Sequence, residues 1–240
     1  MSKIYQYELR RGIRNKFFLI SFLAILLYGW MNLEKLIIGG VAYTAPFSPW
    51  SFGTYLSRIL PIVSMLMLFF LETINTGNSK RVQVLIYATP VEPRNYIKTR
   101  YLAILTQISI VILTLFLLGS GYLIYYFKSA VPVVSLLLVF FASVIPLLMF
   151  ISGLGLACLE FLPAPCMYLL MLFFGGISFV QMPYCLDLYG SHYYQTYPLR
   201  LKQLDPVFSV SNEFILLRIF MFLIGLGLCI LTLKKKAVVQ

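Results

Sequence analysis

The sequence predicts an all-α, polytopic integral membrane protein with six transmembrane helices and both termini in the cytoplasm. Three observations carry that expectation. Of the 240 residues, 60% are hydrophobic and only 11% are charged, against roughly 45–50% and 25% in soluble domains. Too little polar surface remains to cover a water-facing globule. Apolar runs recur at lengths near the ~20 residues a helix needs to cross a bilayer. The basic residues are distributed very unevenly between the segments that join those runs. With 20 Phe and 17 Tyr, a disordered chain is excluded.

The whole chain, 1–240, reads as a single transmembrane domain. Residues 1–16 form a basic elbow segment with Lys3, Arg10, Arg11, Arg14 and Lys16 ahead of the first apolar run. No small-residue cleavage site follows that run, so it does not read as a signal peptide. Ile4, Tyr7 and Arg11 share one helical face, which predicts an interfacial helix. The six spans are 17–33, 59–76, 101–127, 131–159, 164–181 and 214–233. The fourth contains Pro146, which predicts a kink or break. Trp30, Tyr55, Tyr101, Tyr125 and Tyr126 sit near span ends, as an aromatic belt requires.

Charge then orients the chain. Five basic residues precede the first span, five lie between the second and third (Lys80, Arg81, Arg94, Lys98, Arg100), and three form the tail at Lys234-Lys235-Lys236. The opposite side holds only Lys35, Lys128, Arg200 and Lys202. Cytoplasmic loops carry the excess of Lys and Arg, so this split places the elbow, the 77–100 segment and the tail inside. The net charge of +11 therefore reads as topology beside an anionic leaflet, with no nucleic-acid partner. The 34–58 and 182–213 segments become outer loops, the second rich in Tyr and Pro.

Metal and redox chemistry find little support. Cys158, Cys166, Cys185 and Cys229 are scattered and His192 is the single histidine, which argues against zinc. Cys158, Cys166 and Cys229 fall in or beside apolar runs and read as small buried hydrophobes; Cys185 reads as a loop thiol. No catalytic, metal or cofactor-binding set is expected on this chain.

The 77–100 segment is the most specific feature. A helix leaves the membrane at Glu72, a basic turn follows at Lys80-Arg81, and a short apolar helix from about Arg81 to Ala88 stops before Pro90. Asn95 reads as a cap for the re-entering helix. A short helix braced by two spans is a natural docking knob for a soluble partner. Glu72, Lys80, Arg81, Leu85, Thr89-Pro90-Val91, Arg94 and Lys98 also resemble the corresponding loop of the ABC-2 type permeases, the membrane subunits of many ATP-binding-cassette exporters. Six helices with both ends inside and a basic elbow are similar too. The short first span and long first outer loop are less typical.

The resemblance implies a permease subunit, with Arg81, Leu85, Thr89, Pro90 and Arg94 forming the ATPase-coupling loop. It implies a separate ATP-binding-cassette ATPase carrying ATP and Mg, and a second permease subunit, identical or paralogous. It also implies residence in a bacterial plasma membrane. No G-x-x-x-x-G-K-[ST] segment occurs in the chain, so ATP hydrolysis is expected on that partner. An amphipathic or peptide-like cargo is expected.

Three further positions stand out. Glu72 lies near the expected cytoplasmic boundary, with Lys98 or Arg100 as candidate salt-bridge partners bracing the loop. Arg218 lies about one turn inside the last span, where snorkelling outward towards Glu213 competes with contact to an anionic lipid or substrate. Arg58, at the outer end of the second span, raises the same choice. The alternatives to a permease are a secondary carrier, channel or membrane scaffold. An intramembrane enzyme has least support, because Asp187 and Asp205 both fall in the outer loop.

Overall fold

The computed structural model describes residues 2–41, 43–75, 93–163, 165–180, 187–201 and 203–235, and all regular structure among them is helical. Five helices are long and apolar enough to cross a membrane by length and composition: Lys16–Lys35, Pro49–Glu72, Asn95–Phe127, Val133–Phe161 and Asn212–Lys234. The expected fifth span instead contains a shorter apolar helix, Pro165–Phe179. It tightens into a 3₁₀ turn after Gly175-Gly176, where helix propensity is lowest.

In chain order the helices are α1 (Ser2–Ile13), α2 (Lys16–Asn32), α3 (Pro49–Glu72), α4 (Pro93–Phe127), α5 (Val133–Phe161), α6 (Pro165–Gly176), α7 (Ser191–Arg200) and α8 (Asn212–Lys235). The elbow is thus helical, with Arg10 and Arg11 in its last turn, where they complement the helix dipole. It packs along α4, Tyr5 hydrogen-bonding Thr106 at 2.8 Å. A Cβ on Gly12 would meet the Gln107 amide at 1.7 Å, so a larger residue here would have to displace that side chain. Asn15 then caps α2 by accepting from Phe17 N.

Helix α3 occupies the centre. It begins ten residues earlier than hydropathy predicts because Ser48 caps it and Pro49 takes the first helical position. Its opening turns carry Ser51, Gly53, Thr54 and Ser57, all buried. The hydroxyls of Thr54, Ser57 and Ser64 donate to carbonyls of their own helix, which keeps them satisfied without water. Only one stripe of α3 is not fully covered: Arg58, Ile62, Met65, Phe69 and Glu72, spaced at helical periodicity.

Helices α5 and α8 make the most extensive pair. A Cβ on Gly225 would lie 2.3 Å from Met149 O, and one on Gly153 would lie 2.4 Å from Gly225 O, so the two backbones touch. Helix α5 runs on through Pro146 with no break. Tyr101 of α4 joins this pair, donating to Ser152 at 3.0 Å beside Cys229. As expected, Cys158 and Cys229 are buried. Outward faces of α2, α6 and α8 expose Leu23, Leu27, Leu169, Phe173, Phe220 and Leu223, an apolar exterior larger than a water-soluble monomer carries.

Candidate functional site

Three places gather polar chemistry in this apolar bundle. At the end where α1 lies, the chain leaves α3 at Thr73 and returns in α4. Arg100 sits between these two roots. Its Nη2 donates to Thr73 O at 3.3 Å and its Nε lies 3.7 Å from Glu8 Oε2 of α1. Glu8 also faces Arg11 at 3.8 Å and accepts from Tyr96 at 3.5 Å. The Arg100 and Glu8 side chains are 8% and 12% exposed, so water screens their attraction less than it would a surface pair.

Sequence reasoning joins Glu72 to Lys98 or Arg100. The structure gives Arg100 to Glu8 instead, and Glu72 lies beside Tyr168 of α6. Among the described residues no ion pair links Glu72 to either base. Asn95 lies inside α4, two residues past its first, and does not cap it; its carbonyl accepts from Thr99. Arg94 belongs to the first turn of α4. Arg81, Leu85, Thr89 and Pro90 lie outside the described residues, as does Cys185.

At the opposite end, the expected Tyr-rich loop contains helix α7. Asp187 organises its start: Oδ1 accepts from Gly190 N and Ser191 N, and Oδ2 from Tyr193 N at 2.9 Å. Gly190 holds φ 80°, a left-handed conformation that glycine adopts without strain. Rings then lock the helix to α3. Trp50, fully buried, packs at 4.8 Å from Phe208 and 5.6 Å from Tyr197, and its indole N–H donates to Pro206 O at 3.0 Å. Tyr194 is buried against Gly53 and pairs with Ser143 at 2.7 Å. Burial pushes its hydroxyl up to about 12 against the opposing pull of Arg218.

Arg218 turns inward. It is 3% exposed; Nη1 donates to Leu188 O, and the guanidinium lies 4.6 Å from the Phe214 ring centre. Snorkelling to exposed Glu213 is therefore not its role. It fastens the 187–190 turn to α8, with the Asp187 charge nearby. Among the described residues its Nε and Nη2 have no hydrogen-bond partner.

The third place is a cavity of about 780 Å³ between α3, α6 and α7. Arg58, Ile62 and Met65 of the uncovered α3 stripe form one wall, and Leu172 and Phe179 form another. Ser178, His192, Gln195 and Thr196 add a polar side. Helix α6 comes close here because Gly175 lets it sit on Met65, where a Cβ would meet the sulfur at 2.6 Å. Among the described residues lining the cavity there is a guanidinium and no carboxylate. Arg58 stood out in the sequence as a charge; the way α6 and α7 close on it comes from tertiary packing.

The chain was compared with protein-family models, curated proteins and solved structures, and none matches. Among the described residues no three of His, Cys, Asp and Glu gather closely enough to hold a metal ion.

Proposed function

We propose that this chain is the membrane-spanning permease subunit of an ATP-driven exporter, working in a cell membrane with a separate ATP-binding-cassette ATPase and a second permease subunit. The observation that supports it most is the Arg100 junction. The two roots of the 76–92 segment are held to each other and to α1 by one guanidinium. A force applied to that segment would therefore pass to α3, α4 and α1 together. Helix α3 carries it to the cavity beside Arg58, over 14 residues or about 21 Å from Glu72.

In this reading Arg81, Leu85, Thr89, Pro90 and Arg94 meet the ATPase. Two copies meeting near α3 and α6 would enclose an amphipathic cargo. The test is co-purification: replacing Leu85 with Asp, or Thr89-Pro90 with Ala-Ala, should release the ATPase and abolish stimulated ATP hydrolysis. An unaltered complex with unaltered transport would overturn the reading. A secondary carrier is the second reading, favoured by Arg58 and Pro61 beside a cavity on a central helix. Transport that persists without ATP or its ATPase would select it.

A further inference from the structure

We infer that the cavity beside Arg58 binds an amphiphile whose head is an oxyanion, a phosphate or carboxylate carried on an apolar chain. The head meets the Arg58 guanidinium and the chain lies along Ile62, Met65 and Leu172. Its role as cargo rests on the permease reading; its binding does not.

Arg58, Arg100 and Arg218, on α3, α4 and α8, have different surroundings: Arg100 and Arg218 are buried and Arg58 is exposed. Arg100 has Glu8 and Thr73 O, and Arg218 has Leu188 O and the Phe214 ring. Among the described residues Arg58 has neither an ion pair nor a hydrogen bond, and it stands exposed on the wall of an open cavity. Its planar fork matches an oxyanion in two-point geometry. With no carboxylate among the described lining residues, the guanidinium is left available to an anionic ligand entering the cavity. Gln195 in the lining adds a neutral donor.

The rest of the wall selects the chain. From Arg58 to Met65 is seven residues, about 10 Å of helix, and the wall along that length is Ile62 and Met65, faced by Leu172. A bare inorganic anion would leave this surface wet. A neutral amphiphile would leave the guanidinium unanswered. The volume of about 780 Å³ lies within the roughly 300–1,000 Å³ of small-molecule pockets.

The test uses the full chain in nanodiscs of zwitterionic lipid, with labelled dodecyl phosphate as the probe. Saturable binding is expected, about tenfold or more tighter than dodecylphosphocholine, with inorganic phosphate failing to compete. Arg58→Gln should weaken it about tenfold, whereas Arg58→Lys should weaken it less, because the charge remains while the two-point fork is lost. Met65→Trp should weaken the probe by filling the chain's path, with helix content unchanged by circular dichroism. Competition by phosphatidylglycerol added to the discs would mark the natural ligand as a bilayer lipid; its failure would mark a free amphiphile, and both outcomes uphold the site. Equal affinity for dodecylphosphocholine, full binding by Arg58→Gln or tight inorganic phosphate would overturn it. Binding that leaves ATP hydrolysis by the complex unaltered would overturn the transport role alone.

Discussion

At the α7 end of the bundle, helices are joined by stacked rings around a fully buried Trp50. At the α1 end, they are joined by a carboxylate between two arginines, with the Thr73 carbonyl accepting from Arg100. Ring packing depends on shape: it is strong and short-ranged, and displacing it leaves a cavity. Charge pairing tolerates small shifts and reorganises more easily. The first suits a fixed cap, and the second suits a junction that must transmit motion.

The largest expected effect therefore falls on the cap. Trp50→Ala should cost about 3–5 kcal/mol, seen as a clear drop in the melting temperature of the detergent-solubilised protein. An unchanged melting temperature would break the contrast. Next comes Glu8→Ala, with an expected cost of about 1–3 kcal/mol from leaving Arg100 without its carboxylate. A double-mutant cycle with Arg100→Gln should return a coupling of about 0.5–3 kcal/mol, and zero coupling would mean the junction is held by other contacts.

Asp187→Ala should be smaller and local. Losing the cap is worth about 0.5–2 kcal/mol, and faster hydrogen exchange at the amides of Gly190, Ser191 and Tyr193 should report it without protection changing in α5. The smallest is Glu72→Gln, expected within about 0.5 kcal/mol. A loss as large as that of Glu8→Ala would show that Glu72, after all, shares in bracing the junction.

The long apolar helices were legible because each is an uninterrupted run whose chemistry is local. The start of α3 was not, because Ser51, Gly53, Thr54 and Ser57 lower hydropathy just where burial is complete; the Ser48-Pro49 signature was the available signal. Helix α7 hid for a related reason: its tyrosines resemble a surface loop until Trp50 and Gly53 are placed against them. Glu8 was missed as the partner of Arg100 because 92 residues separate the two, and pairing by proximity along the chain favoured Glu72. Of the cavity, Arg58 was visible as an isolated charge, but the walls from α6 and α7 exist only once the chain is folded.

The brevity of α6 has a consequence for its surroundings. Its twelve α-helical residues and following 3₁₀ turn measure about 24 Å, against a hydrocarbon thickness of about 30 Å. In the bilayer that the proposed function requires, hydrophobic mismatch would draw the adjoining leaflet thinner beside this helix. The thinned patch would border the wall where Leu172 and Phe179 line the cavity. A headgroup drifting there would sit deeper than elsewhere, shortening its path from the lipid to Arg58.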